Sequence, residues 1–246
     1  MGMLSSSTFV LAAVGDPNTK FDNLKFTFIG NMNEEVDTCS VWHTSGVKSA
    51  DDLKTREVIV GTAGAGSNSH TFPVGMNSVL GMKFKTIAGY QGGTPIRVTA
   101  MERGELQGMC GVFVWTVNSQ LTRQLEEGRL RVILKIGLSR HPDFKDVPNA
   151  LELATDPNGR AALELVRADR TRTADSWPAR NTSRPRRRVV KGLRGHDEVP
   201  QFRTEAEKTR VELRWFGAAR MKTVMERMEA APKTVKDDVR KLLNAQ

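Results

Sequence analysis

The sequence predicts an α/β protein in which short strands and helices alternate along most of the chain. From Lys25 to Ile136, brief runs of apolar and β-branched residues alternate with segments of helical period. This order is typical of parallel βαβ units with right-handed crossovers. Two of the strand-to-helix connections are also rich in glycine, which points to ligand binding at one edge of the predicted sheet.

The predicted elements are local patterns bounded by turn residues. The predicted strands are Phe26–Ile29, Thr38–His43, Val58–Gly61, Phe84–Ala88, Leu106–Cys110, Val132–Ile136 and Val211–Leu213. The predicted helices are Ser49–Lys54, Ser69–Leu80, Thr94–Arg103, Val114–Glu127, Arg160–Val166, Phe202–Thr209, Gly217–Ala230 and Thr234–Leu243. Residues 1–25 are predicted to be irregular. Residues 169–199 show no convincing period and are expected to be disordered.

Composition places the chain among globular proteins without a membrane span. It has 246 residues, 39% of them hydrophobic, and no run approaches the roughly 18 apolar residues of a transmembrane helix. The first seven residues lack the basic and apolar regions of a secretory signal, so the chain as given is expected to stay in the cytoplasm. Cys39 and Cys110 lack the paired spacing of a zinc site. We interpret them as two small buried side chains, and a bridge between them is left open.

The first glycine-rich connection follows the strand Val58–Gly61 and reads Thr62-Ala63-Gly64-Ala65-Gly66-Ser67-Asn68-Ser69-His70. Gly64 and Gly66 allow backbone amides to point at a ligand, and Ser67, Asn68 or Ser69 can cap the helix that follows. Free amides at a helix N-terminus favour an anion. The loop lacks the lysine of a P-loop and the third glycine of a dinucleotide fingerprint. A plain strand-to-helix turn is the alternative.

The second connection follows the strand Phe84–Ala88 and reads Gly89-Tyr90-Gln91-Gly92-Gly93-Thr94. Pro95 stands at the start of the next helix, where proline is well tolerated. If the two strands are parallel, both helices begin at the same edge of the sheet. The two loops together therefore predict a pocket for a small anion.

Several ordered motifs resemble the receptors of the tripartite tricarboxylate transporters, the Bug-type extracytoplasmic solute receptors. Besides the two loops they are Phe26-Thr27-Phe28-Ile29-Gly30, Val47-Lys48-Ser49-Ala50-Asp51-Asp52-Leu53, Met101-Glu102-Arg103-Gly104-Glu105-Leu106-Gln107-Gly108 and His141-Pro142-Asp143-Phe144-Lys145-Asp146-Val147-Pro148. The resemblance covers roughly residues 15–168 and the chain from about Pro200 onward.

The resemblance implies a periplasmic-binding-protein-like, two-lobed α/β fold of type II. Residues 38–138 would form the ligand-binding lobe, and residues 1–37 and 139–246 would form the remainder of the other lobe. The receptor would be monomeric and periplasmic, would use no cofactor or metal, and would deliver a small carboxylate to membrane transporter subunits. The ligand would contact these residues: Thr62, Gly64, Gly66, Ser67, Asn68, Ser69, Tyr90, Gly93 and Thr94. His70 is interpreted as a structural residue at the helix start.

The sequence departs from the family in two places. Nothing corresponds to the family's leader and first βα segment, so an incomplete first lobe is expected, and a half-built site that does not function is the alternative to a working receptor. Residues 169–199 should continue the family pattern but read as an Arg- and Pro-rich stretch that includes Arg184 and Arg186-Arg187-Arg188. We interpret this stretch as the product of compensating frameshifts.

The sequence has features of two other classes of function. The net charge of +9 and the arginines between Arg167 and Arg194 fit a nucleic-acid-binding protein, but no aromatic residues interleave with the run. An enzyme is disfavoured because the four histidines are scattered and Ser67 does not stand in a nucleophile elbow. Neither nucleic-acid binding nor catalysis is therefore expected.

Overall fold

The computed structural model describes residues 2–4, 6–17, 19–28, 30–31, 36–64, 67–138, 141–168, 173–178, 199–208 and 216–244. The chain forms two compact units. The first unit comprises residues 1–35 and 168–231, and the second unit comprises residues 36–167 and 232–246. No helix among the described residues is long and apolar enough to cross a membrane.

The strands, in chain order, are β1 (Gly2–Leu4), β2 (Phe26–Phe28), β3 (Gly30–Asn31), β4 (Asp37–Trp42), β5 (Val58–Thr62), β6 (Phe84–Ala88), β7 (Gly108–Phe113), β8 (Leu130–Ile136), β9 (Thr173–Pro178) and β10 (Phe216–Gly217). The helices are α1 (Ser6–Ala13), α2 (Asn68–Leu80), α3 (Thr94–Glu102), α4 (Val114–Gln120), α5 (Thr122–Glu126), α6 (Ala150–Leu153), α7 (Pro157–Ala168), α8 (Pro200–Lys208), α9 (Ala218–Ala230) and α10 (Lys233–Asn244).

The second unit is built on a five-stranded sheet in the order β6-β5-β7-β4-β8. Strand β5 is parallel to β6 and β7, as the strand–helix alternation predicts. Strand β4 is antiparallel to both β7 and β8, which corrects the expectation of a wholly parallel sheet. The reason is the connection to β5, because residues 43–57 form only two short 3₁₀ turns and no crossover helix.

Cys39 and Cys110 form a disulfide, with their Cα atoms 4.1 Å apart. They face each other across the antiparallel pair β4–β7, and both side chains are fully buried. Burial agrees with the sequence interpretation, and the bridge that the sequence left open is present. The bond closes a sequence separation of 71 residues in the middle of the sheet.

The second unit extends beyond residues 38–138, the lobe that the sequence predicted. It also contains α7 and α10, both of which pack against α2. Near Gly75 of α2, Leu163 and Val166 of α7 come within ordinary van der Waals distance of where a Cβ would lie. Helices from two later parts of the chain thus complete the core on that face of the sheet.

The first unit contains structure where the sequence predicted none. Strand β1 and helix α1 lie within residues 1–25, and β9 lies within residues 169–199 and pairs with β1 and β2. Phe9 of α1 is fully buried and makes edge-on ring contacts with Phe21 and Phe26. Tertiary packing of apolar residues therefore orders a segment whose local pattern is weak. The strand predicted at Val211–Leu213 and the arginines at 184 and 186–188 lie outside the described residues.

The predicted helix Val114–Glu127 is two helices, α4 and α5, which meet at Leu121. The predicted helix Ser49–Lys54 is a 3₁₀ turn over Asp51–Lys54. The other predicted helices and strands among the described residues agree with the structure to within three residues at each end.

The carboxylate of Asp52 holds the turn before β5 in place. It accepts hydrogen bonds from the amides of Lys48 and Ser49, at 2.8 and 3.0 Å. These two backbone hydrogen bonds lower the pKa of Asp52. Because the folded pKa is lowered, this carboxylate contributes stability above its ordinary pKa and loses that contribution as the pH falls through the folded value.

We expect Asp52→Asn to reduce the loss of thermal stability between pH 5 and pH 2, measured as melting temperature against pH. Asp51→Asn is the matched control, since the Asp51 carboxylate accepts from the exposed Lys54 ammonium at 2.9 Å and from no backbone amide of the described residues. Equal pH profiles for Asp52→Asn and the unaltered chain would contradict the role of Asp52.

Candidate functional site

The candidate site lies at one edge of the five-stranded sheet, where β5 and β6 end. These strands are parallel neighbours in register, with Thr62 opposite Ala88. Each runs directly into a glycine-containing loop and then into the N-terminus of a helix, α2 or α3. The prediction that the two helices begin at the same edge is confirmed. The carboxyl edge of parallel strands is where open α/β sheets bind ligands.

The loop from Thr62 to Ser69 is shaped by its own hydroxyl groups. Ser67 Oγ donates to the carbonyl of Gly64 at 2.6 Å and lies 3.0 Å from Ser69 Oγ. Because Ser67 has one hydroxyl proton, Ser69 is the donor in the second bond. Ser69 Oγ in turn accepts from the amide of Ala63 at 3.0 Å. A carboxylate can take either hydroxyl proton only by displacing one of these bonds.

Thr62 and Gly64 fix where this loop leaves the strand. The Thr62 side chain is fully buried, and its hydroxyl accepts from the amide of Gly64 at 3.3 Å. Gly64 has φ +111°, a conformation that favours glycine, and open space lies where a Cβ would be. Thr62 therefore holds the loop from the buried side, through its hydroxyl. Gly64 has no side chain, so the backbone of the loop stays accessible there.

The second loop is bonded directly to the first. The amide of Tyr90 donates to the carbonyl of Thr62 at 3.0 Å. The Tyr90 ring packs over Gly61, where a Cβ would come within 2.9 Å of the ring. The tyrosine thus uses its backbone and its ring to hold the two loops side by side.

Helix α3 begins directly after the second loop. Gly93 is its N-cap, with φ +77°, and Pro95 follows in the first turn. The amides of Thr94 and Ile96 donate to no oxygen of the described residues. Thr94 is half-buried, Ile96 is exposed, and of the loop before them Gly89 and residues 91–93 are exposed, so these donors lie at a surface that a ligand can reach.

Helix α2 begins at Asn68, after Ser67 in an extended conformation. The hydroxyl of Ser67 makes no capping bond to the first turn, contrary to one of the capping roles considered from sequence. The backbone carbonyl of Ser67 instead accepts the first hydrogen bonds of the helix, from the amides of His70 and Thr71 at 2.9 and 2.8 Å. His70 thus belongs to the first turn of α2, and its Nε2 is buried without a bond to the described residues. Gly66 lies outside the described residues.

Two residues that the sequence did not single out support the loops: Gly111 of β7 contacts the first loop, and Arg97 of α3 bonds the second. Gly111 has φ +72°, and a Cβ there would lie 3.0 Å from the amide nitrogen of Ser69. Arg97, which is 6% exposed, donates from Nη1 to the carbonyl of Cys110 at 2.8 Å and from Nε to the carbonyl of Gly93 at 3.4 Å. The one local feature of the sequence that could have indicated a role for Arg97 is its position as a charged residue between the apolar Ile96 and Val98.

The site is suited to holding an anion through neutral donors. Backbone amides and the positive end of a helix stabilise a carboxylate without any proton transfer. Within the part of the chain that the structure describes, no group of three His, Cys, Asp or Glu side chains could hold a metal ion.

Solved structures share this fold across nearly the whole chain. A TctC solute-binding protein from Polaromonas has a TM-score of 0.67 and 17% identity, with 96% of this chain and 77% of that chain covered. A Rhodopseudomonas palustris protein solved with adipate has a TM-score of 0.62 and 15% identity, with 98% and 77% covered. The periplasmic binding protein BugD has a TM-score of 0.61 and 15% identity, with the same coverage.

No protein-family model matches the sequence, and no curated protein matches it. The structural likeness confirms the predicted fold class, which is that of the TctC- and Bug-type periplasmic binding proteins. Of the structures named above, the Polaromonas protein is a solute-binding protein and BugD is a periplasmic binding protein, which fits a chain that is not an enzyme.

Proposed function

We propose that this chain is an extracytoplasmic receptor that captures a small di- or tricarboxylate. The observation that carries the proposal is the direct bond between two loops that each precede a helix N-terminus, the bond from Tyr90 N to Thr62 O. It joins the beginnings of the two loops, one of which leads to the free amides of α3 and the other to the hydroxyl groups before α2. The shared fold supports the proposal, since one of the proteins that share it was solved with adipate.

Binding in this proposal involves no chemical reaction. The amides of Thr94 and Ile96 would donate to one carboxylate, and the hydroxyls of Ser67 and Ser69 would exchange internal bonds for bonds to the ligand. Gly64, Gly66, Asn68 and Gly93 would form the backbone surface. Uncharged donors in a partly desolvated site bind a carboxylate because its hydration is replaced by oriented dipoles.

The buried disulfide favours a periplasmic location. Disulfides form and persist in oxidising compartments such as the bacterial periplasm, and they are rare in the cytoplasm. We further propose that the receptor acts as a monomer and delivers its ligand to the membrane subunits of a tripartite tricarboxylate-type transporter.

Thermal denaturation with a panel of acids tests the proposal. We expect succinate, malate, adipate or citrate at millimolar concentration to raise the melting temperature of the unaltered chain. A ligand at roughly a hundred times its Kd stabilises by about 2.7 kcal/mol, which corresponds to a rise of several degrees for a chain of this size. No shift with any acid would reject the receptor function.

Ser67→Glu is expected to abolish the shift caused by the binding acid. The glutamate would bring a like charge and extra volume to the centre of the first loop. Ser78→Glu is the matched control, because Ser78 is an exposed serine on the same helix, near its other end. An unchanged Kd for Ser67→Glu, measured by calorimetry, would remove this loop from the site. Loss of binding in Ser78→Glu as well would show a general effect of added charge.

A further inference from the structure

We infer that Arg97 is a positioning residue of the candidate site, acting on the anion through the amide of Thr94. This inference rests on the proposed function. Arg97 is the fourth residue of α3, and its guanidinium is buried among backbone groups. Two of its partners are neutral carbonyl oxygens, those of Gly93 and Cys110. Arg97 therefore holds a positive charge between the end of the second loop, at Gly93, and strand β7, at Cys110.

The bond to Gly93 joins the guanidinium to the peptide group that carries the Thr94 amide. The oxygen and nitrogen of one peptide group are about 2.3 Å apart, so Arg97 Nε lies within about 6 Å of Thr94 N. In a trans peptide the N–H points away from the oxygen. The guanidinium thus binds the carbonyl oxygen of this peptide group, while the Thr94 N–H points in the opposite direction.

A donor at the carbonyl polarises the peptide group and strengthens its N–H as a donor. A charged donor does so more strongly than a neutral one. The Thr94 amide has no acceptor among the described residues, so the polarisation is available to a ligand. Arg97 would thereby increase the affinity for a carboxylate without contacting it.

The bond to Cys110 fixes the guanidinium to the sheet. Arg97 Nη1 donates to the Cys110 carbonyl at 2.8 Å, and Cys110 is held to β4 by the disulfide. The same stretch of β7 contains Gly111, which touches the first turn of α2. Arg97 thus ties the N-terminus of α3 to the strand that supports the N-terminus of α2, which fixes the distance between the two loops.

The test compares Arg97→Met and Arg97→Lys with Arg103→Met. Methionine keeps an unbranched apolar stem but removes the charge and the donors, and lysine keeps the charge and one donor group. Arg103 is an exposed arginine at the C-cap of the same helix, so Arg103→Met controls for the substitution itself.

The first measurement is the backbone amide spectrum without added acid. We expect the Thr94 amide proton to move upfield in Arg97→Met, to move less in Arg97→Lys, and to stay in place in Arg103→Met. An unchanged Thr94 resonance in a folded Arg97→Met protein would overturn the inference. This result does not depend on whether the chain binds a carboxylate.

The second measurement is the Kd for adipate by calorimetry. We expect Arg97→Met to bind about tenfold more weakly, the effect of one charge at this range in a partly desolvated site, with partial recovery in Arg97→Lys. Equal weakening in both variants would indicate a packing role and would overturn the inference. If the unaltered chain binds none of the acids in the panel, the proposed function fails, and the Thr94 resonance still decides the role of Arg97.

Discussion

Replacing Cys39 and Cys110 together by alanine is expected to lower the free energy of unfolding by about 4 kcal/mol. A disulfide that closes a loop of this length removes roughly that much conformational entropy from the unfolded chain. Both side chains are fully buried between adjacent strands, so the alanines introduce no unpaired polar group. The melting temperature of the second unit should fall by about 10 °C.

Reductant provides the control for this prediction. The unaltered chain should melt at a lower temperature in the presence of a phosphine reductant, whereas the double alanine variant should melt at the same temperature with or without it. Two titratable thiols in the unfolded, unreduced chain would contradict the disulfide. The same experiment tests the proposed location, because protein isolated from the periplasm should carry the bond intact.

Gly111→Ala should displace the N-terminus of α2 as well as strain its own backbone. Alanine at φ +72° is strained by about 1–2 kcal/mol. Its Cβ would also lie 3.0 Å from Ser69 N and 3.1 Å from the carbonyl carbon of Asn68. Both are backbone atoms of the first turn of α2, so the helix N-terminus itself must move. We expect weaker carboxylate binding together with a loss of stability.

Gly128→Ala is the control that separates the cost of backbone strain from the cost of displacing α2. Gly128 has φ +67°, and nothing lies within 4 Å of where its Cβ would be, so the variant carries the backbone strain alone. The difference between the two variants in free energy of unfolding and in Kd measures the displacement of α2. Equal losses in both variants would show that Gly111 does not position the first loop.

The strand-to-helix segments around the site were predictable because their signals are local. The strand at Phe84–Ala88 was predicted with the bounds that the structure has, and α2 and α3 begin within one residue of their predicted starts. Apolar runs, glycines and Pro95 each restrict the backbone of their own neighbourhood. Two parallel strands with adjoining loops then follow from the order of the elements.

Helix α1 and strand β9 were not predictable in the same way. The segment around Phe9 has no amphipathic period, and its order depends on ring contacts with Phe21 and Phe26 and on the buried side chain of Asn23, which bonds the carbonyl of Phe9 at 2.8 Å. Packing against residues that are distant in sequence can override weak local preference.

The sequence by itself determined the α/β class, the two glycine-rich loops and their common edge, since each depends on backbone preferences and burial patterns written within a few residues. Only the tertiary structure decided the reversed direction of β4, the Cys39–Cys110 bond, the contact of Gly111 with Ser69 and the bond from Arg97 to the Cys110 carbonyl. Each of these joins segments whose separation along the chain carries no local signal. Their pairing follows from how the whole unit buries its apolar surface and satisfies its buried polar groups.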